Sequence, residues 1–112
     1  MAIDNASIAT SGYTNFEVPA GETWAITTVL VCNRLAVDPS GANDREFSMY
    51  IVLDGEAEND NKNLIVNTQT VQGADTFIMD SEKIILEEGD KLSFTQNGGS
   101  AGLNVTVSYI NV

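Results

Sequence analysis

The chain has 112 residues and a net charge of −11, with sixteen acidic residues, five basic residues and no histidine. This length favours a single domain, and a hydrophobic content of 43% is typical of a globular protein and not of a disordered one. The five basic residues are scattered singly, which argues against binding of DNA or RNA, and no apolar run approaches the ~20 residues that span a membrane.

Residues 1–12 are rich in Ala, Ser, Thr and Gly. They predict a flexible N-terminal arm in front of a β-sandwich domain over residues 13–112. Asp4 stands where a signal peptide would carry a basic residue, so we expect no export signal and folding in a cytoplasm. The single cysteine, Cys32, cannot form an intramolecular disulfide and is interpreted as a small hydrophobic residue that faces the core.

The convincing periodicities in the chain have a period of two, which predicts strands and no helix. Strands are expected near residues 13–18, 24–32, 46–53, 63–68, 75–79, 83–87, 91–96 and 103–111. Turn-forming clusters rich in Gly, Pro, Asn and Asp separate these segments. About eight short strands at this spacing predict an all-β fold, a single-domain antiparallel β-sandwich of jelly-roll type.

The predicted strand over residues 24–32 is apolar on both faces. Strict alternation points Trp24, Ile26, Leu30 and Cys32 towards the core, and leaves Ala25, Val29 and Val31 outside. Tyr50 and Val52 of the next strand are expected to face outwards as well. Because such a patch exceeds what a soluble monomer normally exposes, we predict a homo-oligomer interface. Its residues are Ala25, Val29, Val31, Tyr50 and Val52. The alternative is that residues 1–12 fold back over the patch.

The residue types argue against an enzyme and predict no cofactor and no metal. A chain without histidine lacks the usual general base and the commonest metal ligand, and one cysteine cannot build a thiolate zinc site. The adjacent Glu87 and Glu88 are expected to be solvated turn residues. The acidic segment 54–65 resembles a calcium loop, but Asn59 and Ile65 stand where an EF-hand needs Gly and Glu. An ordinary hairpin loop and a weak calcium site over residues 54–62 both stay open.

Several segments resemble small virion structural proteins of tailed bacteriophages. They are VPAG (18–21), TWAITTVLVCN (23–33), LEEGD (86–90) and NVTVSY (104–109). Chains of that group end in a Leu-x-x-Gly-Asp turn and then a Val-x-Val-Ser-Tyr strand. The resemblance covers the two ends of the domain and leaves residues 34–85 unmatched.

The resemblance implies a non-enzymatic virion protein that is assembled in the host cytoplasm. Its implied role is capsid decoration: a cement protein that forms a homo-oligomer, expected to be a trimer, and binds the major capsid protein or another virion protein. A neck, baseplate or tail-fibre component is an alternative within the same class. A monomeric carbohydrate- or receptor-binding β-sandwich is the alternative from a different class, with Tyr13, Tyr50 and Tyr109 as its candidate surface aromatics.

Overall fold

The computed structural model describes residues 2–80 and 83–112. These residues form β1 (Ala2–Ser7), β2 (Thr14–Glu17), β3 (Trp24–Asn33), β4 (Arg45–Val52), β5 (Leu64–Val71), β6 (Thr76–Met79), β7 (Ile84–Leu86), β8 (Lys91–Gln96) and β9 (Leu103–Asn111), with one short 3₁₀-helix at Asn61–Asn63. Every strand except β1 overlaps a predicted one. Within the described residues, no helix has the length and apolar character needed to cross a membrane.

The strands form two antiparallel sheets. The five-stranded sheet has the order β1-β9-β3-β6, and β7 pairs with β3 as well; the four-stranded sheet has the order β2-β8-β4-β5. Since β6 and β7 both pair with β3, they can be counted as one strand of the sheet. Every connection except β4–β5 then crosses from one sheet to the other, and this is the connectivity of a jelly roll. The prediction of an all-β, single-domain sandwich is confirmed.

The core lies between the two sheets. It contains Trp24, Ile26, Val29, Val31, Leu103, Val105 and Val107 from the five-stranded sheet, and Phe16, Phe47, Met49, Leu92 and Phe94 from the four-stranded sheet. Edge-to-face ring pairs, such as Phe16 with Phe94 at a centroid distance of 5.9 Å, fix the packing within it. Each large apolar side chain buried here stabilises the fold by roughly 1.5–3 kcal/mol.

A β-bulge between Ile26 and Thr28 reverses the alternation of β3. Thr28 is the register partner of Ser108, Ile26 is the partner of Tyr109, and Thr27 is the extra residue between them. The hydroxyl of Thr27 donates to the backbone oxygen of Ser108 at 3.1 Å, which holds the extra residue against β9. From the bulge onwards, therefore, the side chains that strict alternation would place outside point into the core.

The bulge overturns part of the predicted orientation of β3. Val29 and Val31 are both fully buried and belong to the core, so the prediction that they face outwards is wrong. Cys32 was predicted to face the core and is exposed instead. Leu30, its neighbour on the same face, is only half-buried. The predicted orientation holds for Trp24, Ala25 and Ile26, which precede the bulge.

The N-terminal segment is part of the five-stranded sheet. Residues 2–7 form β1, which pairs antiparallel with β9, and Ile8 is buried with its backbone N–H donating to the oxygen of Leu103 at 2.9 Å. A flexible arm is therefore wrong for residues 2–8, and Met1 lies outside the described residues. Because β1 extends the sheet sideways at the edge of β9, it does not fold over the outside of β3.

Candidate assembly surface

The side of the five-stranded sheet that faces away from the core is here named the outer face. The strand register places two groups of side chains on it. The apolar group is Ile3, Ala25, Leu30, Ile78, Ile85 and Ile110, and the polar group is Asn5, Ser7, Thr28, Cys32, Thr76, Asn104, Thr106 and Ser108. This surface is the candidate functional site.

Five of the six apolar side chains of the outer face form two rows that run across the strands, and the sixth, Ile3 of β1, lies beside Ser108 between the rows. In the first row, Ile85, Ala25 and Ile110 are register neighbours on β7, β3 and β9, and the exposed fractions are 59% for Ile85 and 42% for Ile110. In the second row, Ile78 lies beside Leu30 and is 59% exposed. Branched apolar side chains this exposed, on neighbouring strands, are a feature of surfaces that bind another protein.

The outer face carries no charge at any of its described strand positions, although 19% of the residues in the chain are charged. Charged groups stand only at its rim. Arg34 donates from Nη1 to Oδ1 of Asn104 at 3.0 Å at the end where β3 finishes. Asp80 follows β6 and Lys83 precedes β7, so both lie at the side edge of the sheet, midway along β3 and close to Ala25 and Ile85. A partner that covers the outer face would therefore not have to desolvate an ion at its centre.

The opposite side of the sandwich is different, because the chain itself covers part of it. Residues 53–63, named here the acidic strap, join β4 to β5. Glu58 of the strap forms an ion pair with Lys91 of β8 at 3.2 Å, and Lys91 is the register partner of Val52. Val52 is fully buried, although it points away from the core between the sheets. The predicted role of Val52 in a surface interface is therefore wrong, because its side chain is already buried within the chain.

The acidic strap is stabilised by its own polar contacts. The carboxylate of Asp60 accepts from the backbone N–H of Lys62 and so caps the 3₁₀-helix. The ammonium group of Lys62 reaches Glu56 at 2.5 Å, which raises the pKa of Lys62. The side-chain amide of Asn63, a buried residue, donates to the oxygen of Ala57 at 3.3 Å. Residues 54–62 thus form a structured loop that lies back on the sheet.

Glu58→Gln is expected to remove a contribution to stability that depends on pH. The hydrogen bond from Lys91 lowers the pKa of Glu58 from its ordinary value of 4.5. A carboxylate whose pKa is depressed by folding stabilises the protein fully above its unfolded pKa, and the stabilisation is lost as the pH falls through the folded pKa. The variant should therefore lose up to about 1 kcal/mol of unfolding free energy at pH 7, and much less at roughly pH 3.

Urea denaturation of the wild type and of Glu58→Gln at both pH values measures that difference. Glu87→Gln is the matched control, because Glu87 is an exposed turn residue. An equal loss for Glu58→Gln at both pH values would contradict a role of the ion pair in holding the strap.

The structure does not bring the five predicted interface residues together. Ala25 lies on the outer face, half-buried between Ile85 and Ile110. Val29 and Val31 lie in the core. Tyr50 and Val52 lie on the far side of the sandwich, where the rings of Tyr50 and Tyr13 pack edge to face with centroids 5.6 Å apart. The residues of the outer face that sequence reasoning missed are Leu30, Cys32, Ile78 and Ile3. The bulge lies at the Thr27–Thr28 pair, and it separates the start of β3, where Trp24 and Ile26 face the core, from the rest of the strand, where Val29 and Val31 do.

The carboxylates of the 86–90 turn accept hydrogen bonds from backbone N–H groups and so stabilise this turn. Asp90 accepts from the backbone N–H of Glu87 and from that of Asp54, both at 3.0 Å, and Glu88 accepts from the N–H of Gly21 at 2.7 Å. Glu87 and Glu88 are exposed turn residues, as predicted. In the described part of the chain, no group of three or more Cys, Asp or Glu side chains could hold a metal ion.

Comparison of the chain with models of protein families and with curated proteins finds no match. The function is therefore inferred from the geometry of the outer face and from the sequence segments that the structure assembles around it.

Proposed function

We propose that this protein is a non-enzymatic structural protein of a tailed-phage virion, a capsid decoration protein that self-associates and binds the head shell. The observation that carries the proposal is the outer face, an exposed surface with two apolar rows and no charge in an acidic chain. Such a surface suits contact with another protein subunit better than it suits binding of a polar small-molecule ligand.

The segments that resemble phage virion proteins form one unit in space, which also supports the proposal. Residues 23–33 include all of β3, residues 104–109 make up most of β9, and the two strands are neighbours in the five-stranded sheet. The turns at 18–21 and 86–90 contact each other, because the N–H of Gly89 donates to the oxygen of Val18 at 3.1 Å. Gly21 and Gly89 both have positive φ, which explains why each turn carries glycine.

The acidic surfaces that remain are suited to a different partner. The acidic strap and the turn at 86–90 place carboxylates on the far side and at one end of the sandwich. Opposite charge speeds the encounter of two proteins and selects partners. A shell subunit with basic groups on its outside, such as the major capsid protein, fits these surfaces.

Sedimentation with phage particles tests the proposed function. Purified protein is mixed with intact heads, with tails and with fibres of the phage that encodes the chain, and the pellets are quantified. The proposal predicts saturable binding to heads at a fixed number of copies per shell. Binding confined to tails or fibres would overturn capsid decoration in favour of a neck, baseplate or fibre role, and binding to no particle would overturn the virion role.

The contacts of the candidate aromatic residues argue against the second candidate function, a monomeric carbohydrate-binding module. Such a module presents aromatic ring faces to sugar. Tyr109 stacks on the buried Trp24 with ring centroids 3.9 Å apart, and Tyr13 and Tyr50 pack against each other. The three candidate platforms are therefore already in contact with other rings of the same chain.

A further inference from the structure

We infer that the occupant of the outer face is a second copy of this chain, packed sheet to sheet as a twofold dimer. The inference rests on the proposed structural role and goes further, because it names the surface, the partner and the symmetry. It rests on three features of the outer face: its lack of charge, the arrangement of its apolar rows and its size.

The lack of charge on the outer face permits a second copy of this acidic chain to bind there and disfavours a basic partner. Two chains that each carry a charge of −11 repel, so they can associate only through surfaces where few carboxylates come together. The outer face meets this condition, since its described strand positions are all uncharged. A basic partner would find no opposite charge on the outer face and would be attracted to the acidic strap instead.

The arrangement of the apolar rows fits twofold symmetry. Between the row that contains Ala25 and the row that contains Leu30 lies a strip formed by Thr28 of β3, Ser108 of β9 and the apolar Ile3 of β1. In an isologous contact both subunits use the same patch. If the twofold axis runs along the strip, parallel to the two rows, the row of one copy that contains Ala25 lies over the row of the other copy that contains Leu30. Ala25 and the Thr and Ser side chains are small, which permits the ~10 Å separation of packed sheets.

The size of the outer face is sufficient for a weak specific dimer. Four strands spaced by ~4.8 Å and a length of nine residues at ~3.4 Å each give about 19 Å by 30 Å, or roughly 570 Å² per copy. Two copies would bury roughly 1,100 Å², just above the ~1,000 Å² expected of a biological interface. A dimer of this size should dissociate on dilution.

A sheet face accommodates one other sheet, so the expected species is a dimer and not the trimer that the resemblance suggests.

Light scattering after size exclusion, over a dilution series, tests the inference. The wild type is expected to change from dimer to monomer on dilution. Ile110→Asp should raise the dissociation constant by about a hundredfold or more, because each copy would bury an unpaired charge. Ile65→Asp is the matched control: Ile65 is also 42% exposed, but it belongs to β5 of the other sheet. Ile78→Asp, on β6, is the second variant if Ile110→Asp does not fold.

A wild type that stays monomeric at all concentrations, or forms a trimer, would overturn the inference. Equal weakening by Ile110→Asp and Ile65→Asp would also overturn it. The same samples are sedimented with phage heads, so the two proposals fail separately. A dimer that binds no particle refutes the proposed function and supports the inference, whereas a monomer that binds heads supports the function and refutes the inference.

Discussion

Val31→Asp is expected to unfold the protein in water at room temperature. Val31 is fully buried in the middle of β3, where its register neighbours are Val105 of β9 and Phe77 of β6. A buried, unpaired carboxylate costs several kcal/mol, and the lost burial of Val adds about 1.5–3 kcal/mol. Together these losses are comparable to the whole stability of a domain of this size, about 5–15 kcal/mol. Far-UV circular dichroism and urea denaturation measure the outcome.

Cys32→Asp is the control for this prediction, because Cys32 is the next residue and is exposed. The variant should fold, with a change in unfolding free energy below about 1 kcal/mol. The pair of variants tests the bulge directly. If β3 alternated without interruption, Cys32→Asp would unfold the protein and Val31→Asp would not, and that result would refute the orientation described here.

Asn33→Ala is expected to cost about 3 kcal/mol of unfolding free energy, since three buried or partly buried backbone groups would lose their partner. Asn33 is only 1% exposed. Its amide nitrogen donates to the oxygens of Asn43 and Val71 at 2.8 and 2.9 Å, and its side-chain oxygen accepts from the N–H of Leu35 at 2.9 Å. The side chain thus fastens the loop after β3 to the end of β5.

Urea denaturation of Asn33→Ala measures this cost. The control is Asn59→Ala, because Asn59 is an exposed residue of the acidic strap and its loss should change the unfolding free energy by less than about 0.5 kcal/mol. A loss below about 1 kcal/mol for Asn33→Ala would mean that the loop is held by other contacts.

The alternation of apolar and polar residues was sufficient to predict the sandwich. β4, β8 and β9 each keep a regular period of two along most of their length, and their predicted positions agree with the structure to within two residues. Turn residues such as Gly21 and Gly89 mark the boundaries, because their positive φ is unfavourable for other residues. These are local properties, and local properties can be inferred from a sequence.

The features that the sequence did not reveal depend on contacts between distant segments. The extra residue at Thr27 is recognised only from its pairing with Ser108, 81 residues away, and without it the orientation of Val29 and Val31 is reversed. β1 has little apolar alternation and is a strand because β9 offers it an edge. The burial of Val52 likewise depends on the acidic strap, whose ion pair joins Glu58 to Lys91.

The central claim is that β3 changes face at its bulge and so leaves an uncharged outer face exposed. The rate at which a maleimide labels Cys32 tests it most directly, because this is the single cysteine of the chain and lies on that face. In dilute native protein we expect labelling within about tenfold of the rate in the urea-unfolded chain, as is usual for an accessible thiol. Labelling slowed by about a thousandfold or more would require unfolding before reaction, and it would place Cys32 in the core and contradict the account.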